Sequence, residues 1–195
     1  MRRSALAGNL LALGVLLAGV AVAFLFGRFP VSLPDVVRVL WAQLGGGPSG
    51  LPPAVETVVW QVRAPRVVAA VGVGAALSVA GAAFQGLFRN PLVSPDILGA
   101  SAGAALGAVL GIYFSFGIFG IQAAAFAGGL MAVAMVYSLG SLARGGDAVL
   151  TLLLTGIVIG ALLGAGIGLM KYLADPYDQL PAMTFWLLGS LSRTS

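Results

Sequence analysis

Arg63-Ala-Pro-Arg66 opens the stretch of sequence that decides the fold of this chain. A hydrophobic segment rich in Gly and Ala follows it and ends in a polar break, Gln85-Gly-Leu-Phe-Arg-Asn-Pro-Leu-Val-Ser-Pro-Asp-Ile-Leu-Gly99. A second segment of the same kind then runs to Gly111. Apolar runs near 20 residues predict helices that cross a membrane, so a helix pair joined by a polar turn is the pattern from which the fold is built.

The composition of the whole chain agrees with this interpretation. Hydrophobic residues make up 59% of the sequence and charged residues only 8%, whereas a soluble domain has about 25% charged residues. The strict alternation expected of membrane barrel strands is absent from the sequence. The predicted fold class is therefore all-α, a polytopic transmembrane helix bundle.

The residue types that are missing exclude several functions. The chain contains no Cys and no His, so it lacks the usual ligands for zinc, haem or an iron-sulfur cluster. Its single lysine, Lys171, does not lie in a phosphate-binding loop, so we expect no ATPase site. We predict no catalytic residue, metal site or cofactor. Nucleic acid is not an expected partner either, because the arginines are scattered between apolar runs.

The N-terminal segment predicts a first span at about residues 5–27. Arg2-Arg3 precedes an apolar run that reaches Phe26, which favours a cytoplasmic N-terminus. The alternative is a signal peptide cleaved after Ala21-Val-Ala23. We favour a retained helix, because Phe24-Leu-Phe26 extends the apolar run past that site to a spanning length.

Residues 28–62 predict an extracytoplasmic loop with a short interfacial helix. Ser32-Leu-Pro-Asp35 has the features of a helix start, with a proline and an acid in the first turn. The apolar segment that follows is too short to span. Trp41 and Trp60 suit the boundary between lipid and water, so membrane lipid is an expected partner.

The rest of the chain predicts four more spans and the beginning of another, within a single transmembrane domain covering residues 1–195. Loops at 89–96 and 144–147 would lie on one side of the membrane and a loop at 115–120 on the other. Charge does not orient the bundle, because arginines fall in loops on both sides. The predicted spans are 65–88, 97–116, 118–142 and 149–173, with a sixth that begins near residue 181.

Two helices carry glycine at every fourth position. The seam in the third helix is Gly99, Gly103, Gly107 and Gly111, and the seam in the fifth is Gly156, Gly160, Gly164 and Gly168. Small residues at this spacing let helices approach closely in lipid. Tight bundle packing is the favoured interpretation, and helices that slide around a central path are the alternative.

The predicted spans carry no charged residue at their centres. Carriers driven by protons or sodium usually need carboxylates or unwound helices inside the membrane. If this protein moves a solute, we expect the energy to come from another subunit.

The ordered motifs resemble the FecCD-type permeases of bacterial ABC importers for iron-siderophores, haem and vitamin B12. Leu152-Leu-Leu-Thr-Gly156 resembles the start of that family's fifth helix, and Phe185-Trp-Leu-Leu-Gly-Ser-Leu191 its outer segment before the sixth. The other motifs are Arg63-Ala-Pro-Arg66, residues 74–81, Gln85, Arg89-Asn-Pro-Leu92, residues 95–99 and residues 101–104.

The resemblance implies a membrane subunit of about ten helices, of which this chain would be the first half. It implies a bacterial inner-membrane location and a second permease subunit, identical or different. It also implies cytoplasmic ATP-binding subunits and an extracytoplasmic substrate-binding protein. The match ends in the first half of the family's length, so we expect the chain to be a fragment of a longer reading frame, with an iron-siderophore ahead of haem and vitamin B12 as cargo.

The resemblance also implies roles for individual residues. Arg63 and Arg66 would dock glutamates of the binding protein, Arg89, Asn90 and Pro91 would lie in a cytoplasmic loop, and the glycine-bearing helices would follow the translocation path. Those path residues are Gly99, Gly103, Gly107, Gly156, Gly160 and Gly164. The alternatives are arginines that snorkel to lipid headgroups and a polar loop that only ends a helix.

A second hypothesis belongs to a different class of protein. The chain would be a membrane scaffold or assembly partner without a transport path, and the glycine seams would serve oligomerisation.

Overall fold

A computed structural model describes residues 2–91, 94–142 and 148–191, and this part of the chain is helical without a β-strand. The predicted loop at residues 144–147 and Leu92 lie outside the described residues. The helices are α1 (Arg2–Leu25), α2 (Leu33–Trp41), α3 (Pro53–Glu56), α4 (Ala64–Phe88), α5 (Ala100–Tyr113), α6 (Ile118–Leu142), α7 (Ala148–Leu173) and α8 (Gln179–Leu188).

The chain forms two compact units, and the boundary between them falls inside α4, after Ala75. The first unit holds the described residues up to Ala75, with Leu191, and the second is Ala76–Ser190. The prediction of one transmembrane domain stays a prediction, and each unit is described by itself.

The first unit has a small apolar core between α1, α2 and the segment that leads into α4. Phe24, Val36, Val39 and Val59 are buried there. Helix α2 begins with a capping box, in which the Ser32 side chain accepts a hydrogen bond from the Asp35 backbone N–H and the Asp35 carboxylate accepts one from the Ser32 backbone N–H. This arrangement satisfies amide donors that the first turn of a helix leaves without partners.

The second predicted helix begins earlier than residue 65. Helix α3 starts at Pro53 and continues through a π-helical segment, Thr57–Arg63, directly into α4. At the end of that segment the Ala64 backbone N–H donates to the carbonyl of Val59, five residues back. Because Pro65 has no N–H to donate and its ring crowds the preceding turn, a wider turn just before it lets the helix continue.

The second unit is built on the contact between α5 and α6, with α7 and α8 packed beside them. One apolar cluster holds Leu98, Val136 and Ile159. The other holds Val109, Ala174 and Met183, and it brings α8 onto α5.

Four of the described helical segments are long and apolar enough to cross a membrane. The third predicted span is shorter than expected, because α5 has only 14 residues. A short 3-10 helix, Pro95–Leu98, precedes it, and Gly99 breaks the helix with a φ of 73°. The four segments are Leu6–Leu25, Pro53–Phe88, Ile118–Leu142 and Val149–Leu173.

The segment predicted to begin a sixth span is a short helix, α8, of 10 residues. It ends at Gly189, where φ is 71°. The Gln179 side-chain amide donates to the Tyr113 carbonyl at 3.0 Å, which ties the start of α8 to the end of α5. Helix α8 is therefore an element packed against α5.

Candidate functional site

Arg63 is a buried residue, only 8% exposed. Its Nη1 donates to the carbonyl of Phe24 and, in a long hydrogen bond of 3.5 Å, to that of Leu25. Its Nη2 donates to the carbonyl of Phe29. The guanidinium therefore joins the last turn of α1 to the segment that leaves it.

Arg66 has a different environment although it lies three positions further along the same helix. It is half-buried, whereas Arg63 is 8% exposed. Docking by both arginines would require both guanidiniums to be accessible, but Arg63 is buried and its guanidinium donates to backbone carbonyls of the same chain. Because the Arg63 guanidinium is bound to these carbonyls, it does not snorkel to lipid headgroups. The docking role of Arg63 and of Arg66 stays a prediction.

Arg89 ends α4 in the left-handed conformation, with φ of 49°. The Asn90 N–H donates to the Gln85 carbonyl at 3.2 Å, and the Arg89 N–H to the Gly86 carbonyl at 3.4 Å. This pair of bonds is a Schellman motif, in which glycine is the usual residue at the position of Arg89. Arg89, Asn90 and the exposed Pro91 thus form a helix end and the start of a turn, as predicted for a polar break.

The glycine seam of α5 packs against α6. A Cβ on Gly103 would meet the Gly128 carbonyl and the Ala132 methyl group, and a Cβ on Gly107 would lie 2.8 Å from the Ala124 carbonyl carbon. Real Cβ atoms do not approach other heavy atoms this closely, so only glycine allows this crossing. Gly103 and Gly107 therefore allow tight packing of α5 against α6, which is the interpretation that the sequence favoured.

The glycine seam of α7 is closely packed at Gly156 but leaves space at Gly160 and Gly164. A Cβ on Gly156 would lie 3.1 Å from the Ile97 carbonyl carbon, so this glycine packs against the short 3-10 helix. Gly99 lies beside α7 as well, with its hypothetical Cβ 3.7 Å from the Gly160 backbone nitrogen. Around Gly160 and Gly164 a Cβ would meet no heavy atom of the described residues within 4 Å. Only the beginning of this seam is a packing surface within its unit.

An open groove of about 520 Å³ runs along α5 and α6 in the second unit. Its lining is mainly apolar, with Ser101 and Gln122 as polar members and Trp186 of α8 beside them. The face of α5 that lines it carries Ala100 and Ala104. The predicted path glycines of α5 point instead at α6, so the groove and the seam occupy different faces of the helix.

Two structural residues escaped sequence reasoning. Gly27 lies directly against Arg63, since a Cβ there would be 2.7 Å from Nη2. Gln179 ties α8 to α5 through the Tyr113 carbonyl. A lone glycine after a helix and a lone glutamine carry no spacing signal, because each contact depends on a partner far away in the sequence.

These features define the class of protein: a polytopic membrane protein whose helices pack through glycine seams. Within that class, the chain belongs to the FecCD transport family, whose model matches residues 15–195.

Individual permease proteins are similar in sequence to this chain over most of its length. The molybdate import system permease protein of Haemophilus influenzae is 36% identical over 169 residues, which are 87% of this chain and 49% of that protein. The hemin transport system permease protein of Yersinia pestis is 41% identical over 142 residues, covering 69% of this chain and 42% of the relative. The chain spans about half the length of the curated relatives it matches.

A solved structure shows the likeness in three dimensions. A metal-chelate type ABC transporter in an inward-facing conformation superposes with a TM-score of 0.76 and 32% sequence identity. The match covers 97% of this chain and 55% of the other. The resemblance to FecCD-type permeases and the all-α fold class are thereby confirmed.

Proposed function

We propose that this chain is part of the membrane permease of an ABC importer, a subunit that forms the path for an iron-siderophore complex. The observation that carries the proposal is the family match over residues 15–195. A soluble binding protein would deliver the cargo from outside, a second permease subunit would complete the path, and cytoplasmic ATP-binding subunits would supply the energy. The location would be the inner membrane of a bacterium.

The relatives differ in the cargo for which they are named. Relatives are named for haemin, for cobalamin in Halobacterium salinarum, and for achromobactin in Dickeya dadantii. The match to the relative named for molybdate covers 87% of this chain, compared with 73% for the cobalamin relative and 69% for the haemin relative. A large iron chelate agrees with the groove along α5 and α6, whose lining is mainly apolar and carries no charged side chain.

We assign parts of the chain to steps of transport. Arg66 would pair with a carboxylate of the binding protein, for which a guanidinium is well suited. The turn at Arg89, Asn90 and Pro91 would face the cytoplasm. The resemblance implies that α5 and α7 follow the path, and on α5 we place it along the face of Ser101, which lines the groove between α5 and α6, and not along the packed face of Gly103.

The test is reconstitution of the full-length protein in liposomes with its ATP-binding subunits and binding protein. Uptake of a ferric siderophore, haem, cyanocobalamin and molybdate would be measured with and without ATP, using an ATPase subunit unable to hydrolyse ATP as control. We expect ATP-dependent uptake of the ferric siderophore. Uptake of molybdate alone would contradict the cargo, and no uptake of any of the four would favour the scaffold hypothesis.

A further inference from the structure

Helix α2 lies at the end of the first candidate span, within the first unit. That span is Leu6–Leu25, and Phe24, next to its last residue, is buried together with Val36 and Val39 of α2. Because a spanning helix ends where the hydrocarbon meets the lipid headgroups, these contacts place α2 at that boundary. The side of α2 that faces away from Val36 and Val39 is therefore at the depth of the headgroups.

This exposed side of α2 combines an apolar stripe with one cation. The apolar stripe consists of Leu33, Val37 and Trp41, which follow one another at every fourth position and are all exposed. Arg38 is exposed as well. It precedes Trp41 by three positions, so its side chain lies beside the stripe. A helix with this arrangement lies in the membrane interface, with its apolar side toward the acyl chains and its charge toward the headgroups.

The Trp41 ring is held in place at the end of the apolar stripe. A π-helical turn, Ala42–Gly46, follows α2 directly. A Cβ on Gly46 would lie 2.6 Å from Cε2 of the Trp41 indole, so the ring rests against a position that only glycine leaves open. Tryptophan is enriched at the boundary between lipid and water, and here the turn fixes its ring beside the exposed side of α2.

The two acids of the first unit are engaged by serines and not by Arg38. The Asp35 carboxylate, three positions before Arg38, accepts from the Ser32 hydroxyl at 2.5 Å and from the Ser32 N–H at 3.4 Å. The Glu56 carboxylate accepts from the Ser49 hydroxyl. Within the part of the chain that the structure describes, the Arg38 side chain forms no ion pair or hydrogen bond. Its guanidinium is thus free to bind an anion from outside the chain.

We propose that α2 is a binding site for an anionic phospholipid. The apolar stripe contacts the acyl chains next to the headgroup, and the Arg38 guanidinium binds the headgroup phosphate. An interfacial position alone would accept any phospholipid. Arg38 adds a preference for a headgroup with net negative charge, because a basic side chain near the membrane surface is attracted to anionic lipid. The site is built from contacts within the first unit and does not depend on the proposed transport function.

The site is tested with the full-length protein in which every tryptophan except Trp41 is replaced by Phe, in bilayers of phosphatidylcholine and phosphatidylglycerol. One lipid or the other is brominated near the headgroup, at equal mole fraction, and quenching of Trp41 fluorescence reports which lipid lies beside α2. We expect phosphatidylglycerol to be enriched about fivefold, as the attraction of one basic side chain corresponds to. Arg38→Gln should remove this preference, and Arg38→Lys should keep most of it.

Two controls separate a local lipid site from other sources of attraction. Lys171→Gln removes one positive charge from α7, in the second unit, and we expect it to leave the preference beside Trp41 unchanged. Inorganic phosphate is compared with chloride at the same ionic strength, because a free anion site would bind phosphate selectively. We expect the two salts to reduce the preference equally, by screening alone.

Several results would overturn the proposal. One is equal enrichment of the two lipids while Arg38 is present, and another is a preference that survives Arg38→Gln. Loss of the preference in Lys171→Gln as well would indicate attraction by net charge without a site. A selective effect of inorganic phosphate would replace the lipid by a free anion, and quenching of Trp41 by neither lipid would show that protein covers this side of α2.

Discussion

Gly103 of α5 and Gly128 of α6 face each other so closely that neither can carry a Cβ. A Cβ on Gly128 would meet the Gly103 carbonyl and lie 3.1 Å from the Cα of Gly107, and a Cβ on Gly103 would meet the Gly128 carbonyl in return. In lipid, helices gain little from expelling water, so backbone contact of this kind is a main source of association. The α5–α6 pair is therefore the firmest part of the second unit.

Enlarging a glycine at this crossing is expected to destabilise the protein. Gly128→Ala should lower the free energy of unfolding by about 1–3 kcal/mol, because overpacking forces the helices apart. The melting temperature of the full-length protein in detergent measures the effect. Gly164→Ala is the control, since its Cβ would meet nothing within 4 Å among the described residues. Equal melting temperatures for the two variants would contradict the close crossing.

The C-terminal ends of α4 and α5 are each followed by a residue other than glycine in the left-handed conformation, which allows a matched comparison. Arg89 has φ of 49° and Ser115 has φ of 56°. Arg89→Gly and Ser115→Gly should each raise stability by up to about 1 kcal/mol, because glycine adopts this conformation without steric cost.

The same pair of variants tests the proposed cytoplasmic turn. In the assembled transporter we expect Arg89→Gly to lower substrate-stimulated ATP hydrolysis several-fold, while Ser115→Gly leaves it unchanged. ATPase assays in proteoliposomes give the answer. A fall in both variants would indicate a general effect of helix ends, and unchanged ATP hydrolysis in Arg89→Gly would contradict a role of the proposed cytoplasmic turn in ATP-driven transport.

Met183 is expected to be the residue that holds α8 on α5. Its side chain is fully buried, at 0% exposure, beside Val109 and Ala174. Met183→Ala should cost about 2–5 kcal/mol, since the cavity it leaves is only partly filled by relaxation. Met131→Ala, at a site that is 61% exposed, is the control. Thermal unfolding monitored by circular dichroism would show whether the two variants differ.

Helix α2 is expected to lie in the membrane interface through one exposed apolar face. Leu33, Val37 and Trp41 follow one another at helical spacing and are 49%, 58% and 67% exposed, whereas Val36 and Val39 face the core. In a variant of the full-length protein in which Trp60, Trp186 and any tryptophan outside these 195 residues are replaced by Phe, lipids brominated near the headgroup should quench the fluorescence of Trp41 more than lipids brominated at the chain end. Equal quenching by the two lipids, or quenching by neither of them, would contradict the interfacial position.

The sequence predicted most helices because the signals for them are local. Long apolar runs, few charges and polar breaks at Arg89 and Pro95 are properties of neighbouring residues. The start of α2 was predicted for the same reason, since Ser32 and Asp35 satisfy each other within one turn. The predicted helix bounds were less accurate at proline. Pro65 suggested the start of a helix, but the helix begins at Pro53 and continues past Pro65 because a π-helical segment, Thr57–Arg63, precedes it.

The candidate site was less predictable, because its properties depend on residues far apart in the chain. Arg63 and Arg66 have the same chemistry in the sequence, and nothing in their spacing indicates that folding brings Phe24, Gly27 and Phe29 around the guanidinium of Arg63. The two glycine seams likewise have the same spacing. Gly103 and Gly107 meet α6, whereas Gly160 and Gly164 leave their face open among the described residues.

The sequence by itself therefore determined that this is an all-α membrane protein, which helices it forms, and which family it resembles, because hydrophobicity and motif order are written along the chain. Only the tertiary structure decided which arginine is buried, which face of α5 packs and which lines a groove, and where α8 lies. Burial and close approach are set by the partner that arrives from elsewhere in the chain, and spacing along one helix does not identify that partner.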